Sequence, residues 1–299
     1  MNNIERMIHS AVDHKARKVM VQLPAGLKQH ALAISEAFAE KDMQAVIAGK
    51  TTYGACDLAD IEACKTGCDL LIHVGHTKFY RDITTQVPVV YVPWTIDTQT
   101  HIDVSTIPEK RIGIVTTIQH TDMLDKVAEQ LLAVGKQAVI GGQILGCWTV
   151  NATRILDDVD ALLYVGSGCF HPEGIKVTKP VYSYNVETGA VEKVDTNRML
   201  KKRYNNMFRA RDAKTFGILV TTKAGQQELL GRAEKIQKSI HKRNKKAYII
   251  VLEEINDENL QGIAVDAFIN TACPRIADDH FSKPFINATD VEELLHEDH

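Results

Sequence analysis

Lys18-Val19-Met20-Val21-Gln22-Leu23-Pro24-Ala25-Gly26 is a short apolar run, rich in valine, that stops at a proline and a glycine. Such a run is too short for a buried helix, and its punctuation suits a strand feeding a turn. A helical pattern follows from about Leu27 to Lys41, and a second apolar run, Ala45-Val46-Ile47-Ala48, comes after it. Strand, helix and strand in that order form a βα unit, which belongs to a parallel sheet. The next runs, Leu70–Val74 and Val89–Val92, extend the same sheet.

The pattern restarts twice. Arg111–Val115 opens a second copy, with a helix from about Thr121 to Val134 and strands at Ala138–Ile140, Ala161–Val165 and Val181–Tyr184. Phe216–Val220 opens a third, which continues through a basic helix to Tyr248–Leu252 and then Ala267–Asn270. Polar stretches, 97–110 and 187–214, precede the second and third copies. The expected fold class is therefore α/β, with three small parallel-sheet domains over residues 1–98, 99–190 and 191–299, the last beginning with a connector helix over Arg198–Arg211. One doubly wound sheet of many strands is the competing topology.

Composition narrows the function. The chain has 299 residues, 44% hydrophobic and 24% charged, which is ordinary globular usage and excludes a disordered or fibrous chain. Lys plus Arg number 35 against 38 Asp plus Glu, a net charge of −3, so nucleic acid is not the expected partner. No apolar run approaches a membrane span, and Met1–Arg6 is too polar for a signal peptide, so a cytoplasmic location without membrane contact is expected.

Six cysteines are present: Cys56, Cys64, Cys68, Cys147, Cys169 and Cys273. They are too sparse for a disulfide scaffold and lack the paired CxxC spacing of a structural zinc site or the close triplet of an orthodox radical site. Cys56, Cys147 and Cys273 nevertheless fall one per copy, each just beyond the carboxyl end of a strand, where open parallel sheets bind ligands. Asp57 and Asp60 after Cys56, and Pro274 after Cys273, look like helix starts, and a helix N-terminus favours the thiolate. The positions are not equivalent, because Cys56 and Cys147 follow second strands and Cys273 a third. On placement alone, metal ligands and small buried core residues are equally good readings.

The wording of the motifs separates them. Gly54-Ala55-Cys56-Asp57-Leu58-Ala59-Asp60, Gly142-Gln143-Ile144-Leu145-Gly146-Cys147 and Ala272-Cys273-Pro274-Arg275 resemble the cysteine motifs of the archaeal-type diphthamide synthesis family, 2-(3-amino-3-carboxypropyl)histidine synthase. Gly166-Ser167-Gly168-Cys169-Phe170-His171-Pro172 and Thr221-Thr222-Lys223-Ala224-Gly225-Gln226 are similar to further motifs of it, so the resemblance runs from Gln22 to Arg275. It implies a [4Fe–4S] cluster at the centre of a pseudo-threefold arrangement, held by Cys56, Cys147 and Cys273 with one iron open. It further implies non-classical radical cleavage of S-adenosylmethionine and transfer of its 3-amino-3-carboxypropyl group to a histidine of translation elongation factor 2, releasing methylthioadenosine. An electron donor of unknown identity and a homodimer are implied as well.

Arg275 could pair bidentately with the cofactor's carboxylate, and Gln226, at a strand-to-helix turn, could help hold it. The simpler alternatives are a salt bridge and a turn residue. No residue is assigned a catalytic role. His76 and His171 lie on the ligand edge without metal spacing, Cys169 could line the pocket, and Cys64 and Cys68 read as packing residues. The basic segments Arg198–Lys214 and Arg232–Lys246 read as solvated faces. Two other functions stay open at this level: a quinolinate synthase-like [4Fe–4S] dehydratase, and a non-catalytic α/β small-molecule binding protein.

Overall fold

The computed structural model describes residues 2–79, 82–96, 102–195, 197–226 and 230–296, the side chains of 224, 292, 295 and 296 excepted. The chain opens with α1 (Asn3–Asp13), a helix the sequence reading did not anticipate. Its start is fixed by a reciprocal cap, in which Glu5 N donates to Asn2 Oδ1 and Asn2 N to the Glu5 carboxylate, both at 2.8 Å. Met7 and Ala11 anchor it in the first core.

The first sheet comprises β1 (Lys18–Gln22), β2 (Gln44–Ala48), β3 (Leu70–Val74) and β4 (Val89–Val92), with α2 (Ala31–Ala39) and α3 (Asp60–Lys65) between them. All its pairings are parallel, in the order β2-β1-β3-β4. Strand alternation sends Val19 and Val21 to the side of α1 and α2, with Ile34 and Phe38, and Met20 to the side of α3, with Ala63 and Cys68. The apolar run is continuous because both faces are covered.

The second sheet repeats this plan with β5 (Arg111–Thr116), α4 (Leu124–Ala133), β6 (Gln137–Gln143), α5 (Val150–Arg154), β7 (Ala161–Gly166), α6 (Phe170–Glu173), β8 (Val181–Asn185) and β9 (Val191–Lys193). Its order is β6-β5-β7-β8-β9, and β9 adds an antiparallel edge absent from the sequence reading. The third contains α7 (Asn197–Ala210), β10 (Thr215–Thr221), α8 (Leu230–His241), β11 (Lys246–Leu252), β12 (Ala267–Asn270), β13 (Phe285–Asn287) and α9 (Val291–His296), in the order β11-β10-β12-β13. The same four-strand order in every sheet is the repeat seen in the sequence. The chain forms two compact units, Met1–Val194 with the first two sheets and Asp195–His299 with the third.

Two devices recur in all three copies. After the first strand of each copy the chain makes a tight 3₁₀ turn, at Ala25–His30, Ile118–Met123 and Ala224–Gln226, so helices expected from Leu27 and Thr121 start later. An aspartate also closes the amino end of each central strand pair. Asp69 accepts from Arg17 N and Lys18 N, Asp160 from Arg111 N, and Asp266 from Lys214 N and Thr215 N. Bonds to the charged form hold these carboxyls below their usual range: backbone N–H groups first at Asp69, the Arg111 side chain at Asp160 and the Thr215 hydroxyl at Asp266.

α7 fills the expected connector position and belongs to the second unit. Met207 and Ala210 enter that unit's core, and Arg203 pairs with Asp290 at 3.0 Å and Glu293 at 2.5 Å.

Candidate metal centre

Cys56 lies in the loop from β2 to α3 and is half-buried. Opposite that loop, a polar row crosses the carboxyl end of the sheet: Gln22 closing β1, His73 beside it on β3, and Tyr91 beside His73 on β4. Gln22 and His73 are wholly buried. The Gln22 amide has one possible orientation, because Nε2 donates to Asp57 O at 2.8 Å while Oε1 accepts from Ala59 N at 3.1 Å.

That orientation fixes the neighbouring protons. Nδ1 of His73, 2.9 Å from Gln22 Oε1, must donate, since a carbonyl oxygen only accepts. Burial, reinforced by His76, pushes His73 down to about 3, and burial pushes His76 down to about 4 against a weaker opposing pull from the Val74 carbonyl. Both rings are neutral at pH 7, so Nε2 of His73 accepts and His76 Nδ1 donates across 2.9 Å. The Tyr91 hydroxyl is pushed up, first by burial and then by the negative forms of Cys56 and Asp60.

Cys147 stands at the tip of a tight turn after β6. Leu145 and Trp148 exchange two backbone bonds, at 2.8 and 3.1 Å, leaving Gly146 and Cys147 as the two turn residues. Cys147 is exposed. The turn is packed from behind by α6: a Cβ on Gly146 would lie 2.6 Å from the Phe170 ring, and one on Gly174 would overlap the Gly146 carbonyl. Gly174→Ala should therefore displace this turn and destabilise the protein by about 1–3 kcal/mol, the range for overpacking. An unchanged melting temperature in that variant would show the backbone contact to be loose.

Within the same unit, the loop after β3 is tied to the second sheet. Gln119 Nε2 donates to Gly75 O at 2.6 Å, and Gln143 Nε2 to Thr77 Oγ1 at 2.9 Å. Gln143 closes β6, and Thr77 follows His76, so the loop beside the Gln22–His73 row and the strand leading to Cys147 share one hydrogen-bonded framework.

Cys273 is half-buried at the start of the 3₁₀ turn Pro274–Asp278, with Pro274 at its first position as expected. Asn270, 2% exposed at the end of β12, accepts from Ala272 N at 3.0 Å through Oδ1 and donates to Cys273 O at 2.9 Å. The same Nδ2 donates to Oδ1 of Asn287, its register partner on β13, and Asn287 donates to Pro274 O. Arg275 is 11% exposed with Nε 2.7 Å from Asp278. Gln226 ends the 3₁₀ turn after β10, its N–H on Lys223 O at 2.9 Å.

The remaining sequence candidates separate clearly. Cys68 is buried in the first core, as expected of a packing residue, but Cys64 is exposed on α3 and does not pack. Cys169 is exposed at the start of α6, and the His171 ring stacks near Tyr164 at 6.2 Å. Among the described residues, no three or more His, Cys, Asp or Glu side chains gather closely enough to hold a single metal ion. A four-iron cluster makes a different demand, because each thiolate binds its own iron and the ligands stand apart. Cys56, Cys147 and Cys273 fit that demand in chemistry: three soft donors outside the packed cores, each on a braced turn at a strand end. Cys56 and Cys147 belong to the first unit and Cys273 to the second.

Fold and cysteines together define a three-repeat parallel α/β protein with at least one thiol at the carboxyl edge of each sheet, Cys56 on the first, Cys147 and Cys169 on the second and Cys273 on the third. Residues 23–299 match the family described as "Putative diphthamide synthesis protein". The chain belongs to this family of enzymes. It is 33% identical over 94% of its length to 2-(3-amino-3-carboxypropyl)histidine synthase from Pyrococcus horikoshii, covering 86% of that protein. It is 30% identical to subunit 1 of the human synthase over 94% of its length, covering 68% of that subunit. The crystal structure of Dph2 from Pyrococcus horikoshii is similar with a TM-score of 0.87 at 30% identity, over all of this chain and 91% of that one. A second crystal structure of that protein, with a 4Fe-4S cluster, gives a TM-score of 0.86 over 99% of this chain and 91% of that one. Membership sets aside the dehydratase and the non-catalytic binder. No described helix is long and apolar enough to cross a membrane.

Proposed function

We propose that this protein is a 2-(3-amino-3-carboxypropyl)histidine synthase acting at the first step of diphthamide formation. Its co-substrate is S-adenosylmethionine, and its protein substrate is a histidine of translation elongation factor 2. The observation that carries the reading is an accessible thiol at the carboxyl edge of every one of three like sheets (Cys56, Cys147 and Cys273, with Cys169 a second at the edge of the middle sheet), in a chain similar to a protein solved with a 4Fe-4S cluster. Cys56, Cys147 and Cys273 each give a thiolate to the cluster. When bound and reduced, that group supplies the electron that breaks the bond from sulfur to the γ-carbon of the aminocarboxypropyl chain.

The protein's share is placement. Three thiolates leave one iron for the co-substrate's amino and carboxylate groups, so binding geometry decides which sulfonium bond faces the metal. Arg275 adds a guanidinium two residues from Cys273, with the Asp278 carboxylate 2.7 Å from its Nε, to meet the carboxylate of the co-substrate. Gln226 contributes at the β10 turn. The enzyme works as a homodimer, with a separate reductant as electron source.

Anaerobic incubation with reductant, S-adenosylmethionine and elongation factor 2 tests the reading. Methylthioadenosine and a modified factor are expected, whereas 5′-deoxyadenosine as the main product would refute the bond assignment. Arg275→Ala should weaken S-adenosylmethionine binding about 10–100-fold, the scale of a charge-assisted hydrogen bond, with iron content unchanged. Equal affinity by calorimetry would remove Arg275 from the site.

A further inference from the structure

Gln22 and Asn270 have the same geometry at two places unrelated in sequence. Each is a buried primary amide closing an inner strand, Gln22 on β1 and Asn270 on β12. Each donates to one backbone carbonyl of a cysteine loop and accepts from one backbone N–H of the same loop. Gln22 spans Asp57 O and Ala59 N, the first of which is adjacent to Cys56. Asn270 spans Cys273 O itself and Ala272 N, on either side of the Cys273 peptide.

We propose that Gln22 and Asn270 are positioning residues whose amide forks hold the loops bearing Cys56 and Cys273 in the geometry that retains the iron–sulfur cluster. An amide presents a donor and an acceptor side by side at fixed spacing without depending on pH, which neither a hydroxyl's single oxygen nor an ionised carboxylate does. Each fork is itself braced: His73 donates to Gln22 Oε1, and Asn270 donates to Asn287 Oδ1. A buried amide with an unmade bond is costly, so each network is satisfied in one loop geometry only. The second sheet achieves the same end differently, through the closed Leu145–Trp148 turn and the glycine contact behind Cys147. This inference rests on the reading of Cys56 and Cys273 as cluster ligands.

The test compares anaerobically prepared wild type with Gln22→Met and Asn270→Leu, which keep size and remove both polar ends. The readouts are the rate of iron release to a chelator and the electron paramagnetic resonance spectrum of the reduced cluster, with circular dichroism as the check on folding. Supporting bonds around metal ligands are worth about 10–100-fold in affinity, so release should accelerate by that factor and the spectrum should change. If either variant fails to fold, Gln22→Glu and Asn270→Asp put a second oxygen where the donor stood. Release should then be faster at alkaline pH, where the ionised carboxylate meets the loop carbonyl acceptor to acceptor, than at lower pH, where a proton restores the donor. Folded variants that release iron at the wild-type rate with an unaltered spectrum overturn the proposal. Cys56→Ala and Cys273→Ala separate the two ideas: normal amide variants beside iron-poor cysteine variants sink the forks alone, while iron-replete cysteine variants sink the cluster reading with them.

Discussion

Alanine at Cys56, Cys147 or Cys273, introduced one at a time, should leave a folded protein that has lost most of its iron and its brown colour. Changes to groups that merely support ligands cost about 10–100-fold in metal affinity or activity, so removal of a ligand should exceed the upper end, with more than about 100-fold loss of methylthioadenosine formation. The fold should survive, because none of the three thiols lies in a packed core. Cys64→Ala and Cys169→Ala are the controls. Both thiols are exposed and both variants should keep full iron. Cys68→Ala removes a buried sulfur from the first core and should cost stability without changing iron. Iron analysis of the anaerobic proteins decides the matter, and a full complement in any of the three single variants would exclude that cysteine.

Acid should destabilise the first sheet well before its carboxylates titrate. In the unfolded chain His73 and His76 take up protons near pH 6.5, while burial in the folded protein holds them down to about 3 and about 4. Between those limits the unfolded state binds more protons, so stability is greatest above pH 6.5 and falls as pH drops. Each histidine removes about 1.4 kcal/mol per pH unit across its window, on the order of 5 kcal/mol for the pair by pH 4.5. Asp69, Asp160 and Asp266 do not blur this range, because their carboxyls sit below the usual carboxylate values. In His73→Asn the amide still reaches towards Gln22 but does not titrate, so its melting temperature should depend less steeply on pH from 6.5 to 4.5. Parallel curves for variant and wild type would show that His73 protonates freely when folded.

The fold was legible because strands buried on both faces leave continuous apolar runs. Val19–Val21, Ile112–Val115 and Ile218–Val220 each announce a central strand. α1 was missed because its polar face dominates the opening residues, although Asn2 and Glu5 carry the spacing of a reciprocal cap. β9 was missed because a three-residue edge strand has no periodicity to read. At the site, the cysteines were visible from strand ends and motif wording, but their supports were not. Gln22 was read inside the apolar run that ends at Leu23, Asn270 as the last residue of a strand, and His73 as part of an apolar run. The available signal was a polar residue at the carboxyl end of a fully buried strand, where burial demands partners. Which partners it finds depends on loops more than 30 residues away for Gln22, and no local pattern encodes that pairing.

Strand β9 ends at Lys193, beside the boundary between Val194 and Asp195. A cut at that bond would sever no ladder and would leave each fragment its own complete interior. The two pieces made apart should then each fold alone, the longer carrying Cys56 and Cys147 and the shorter Cys273.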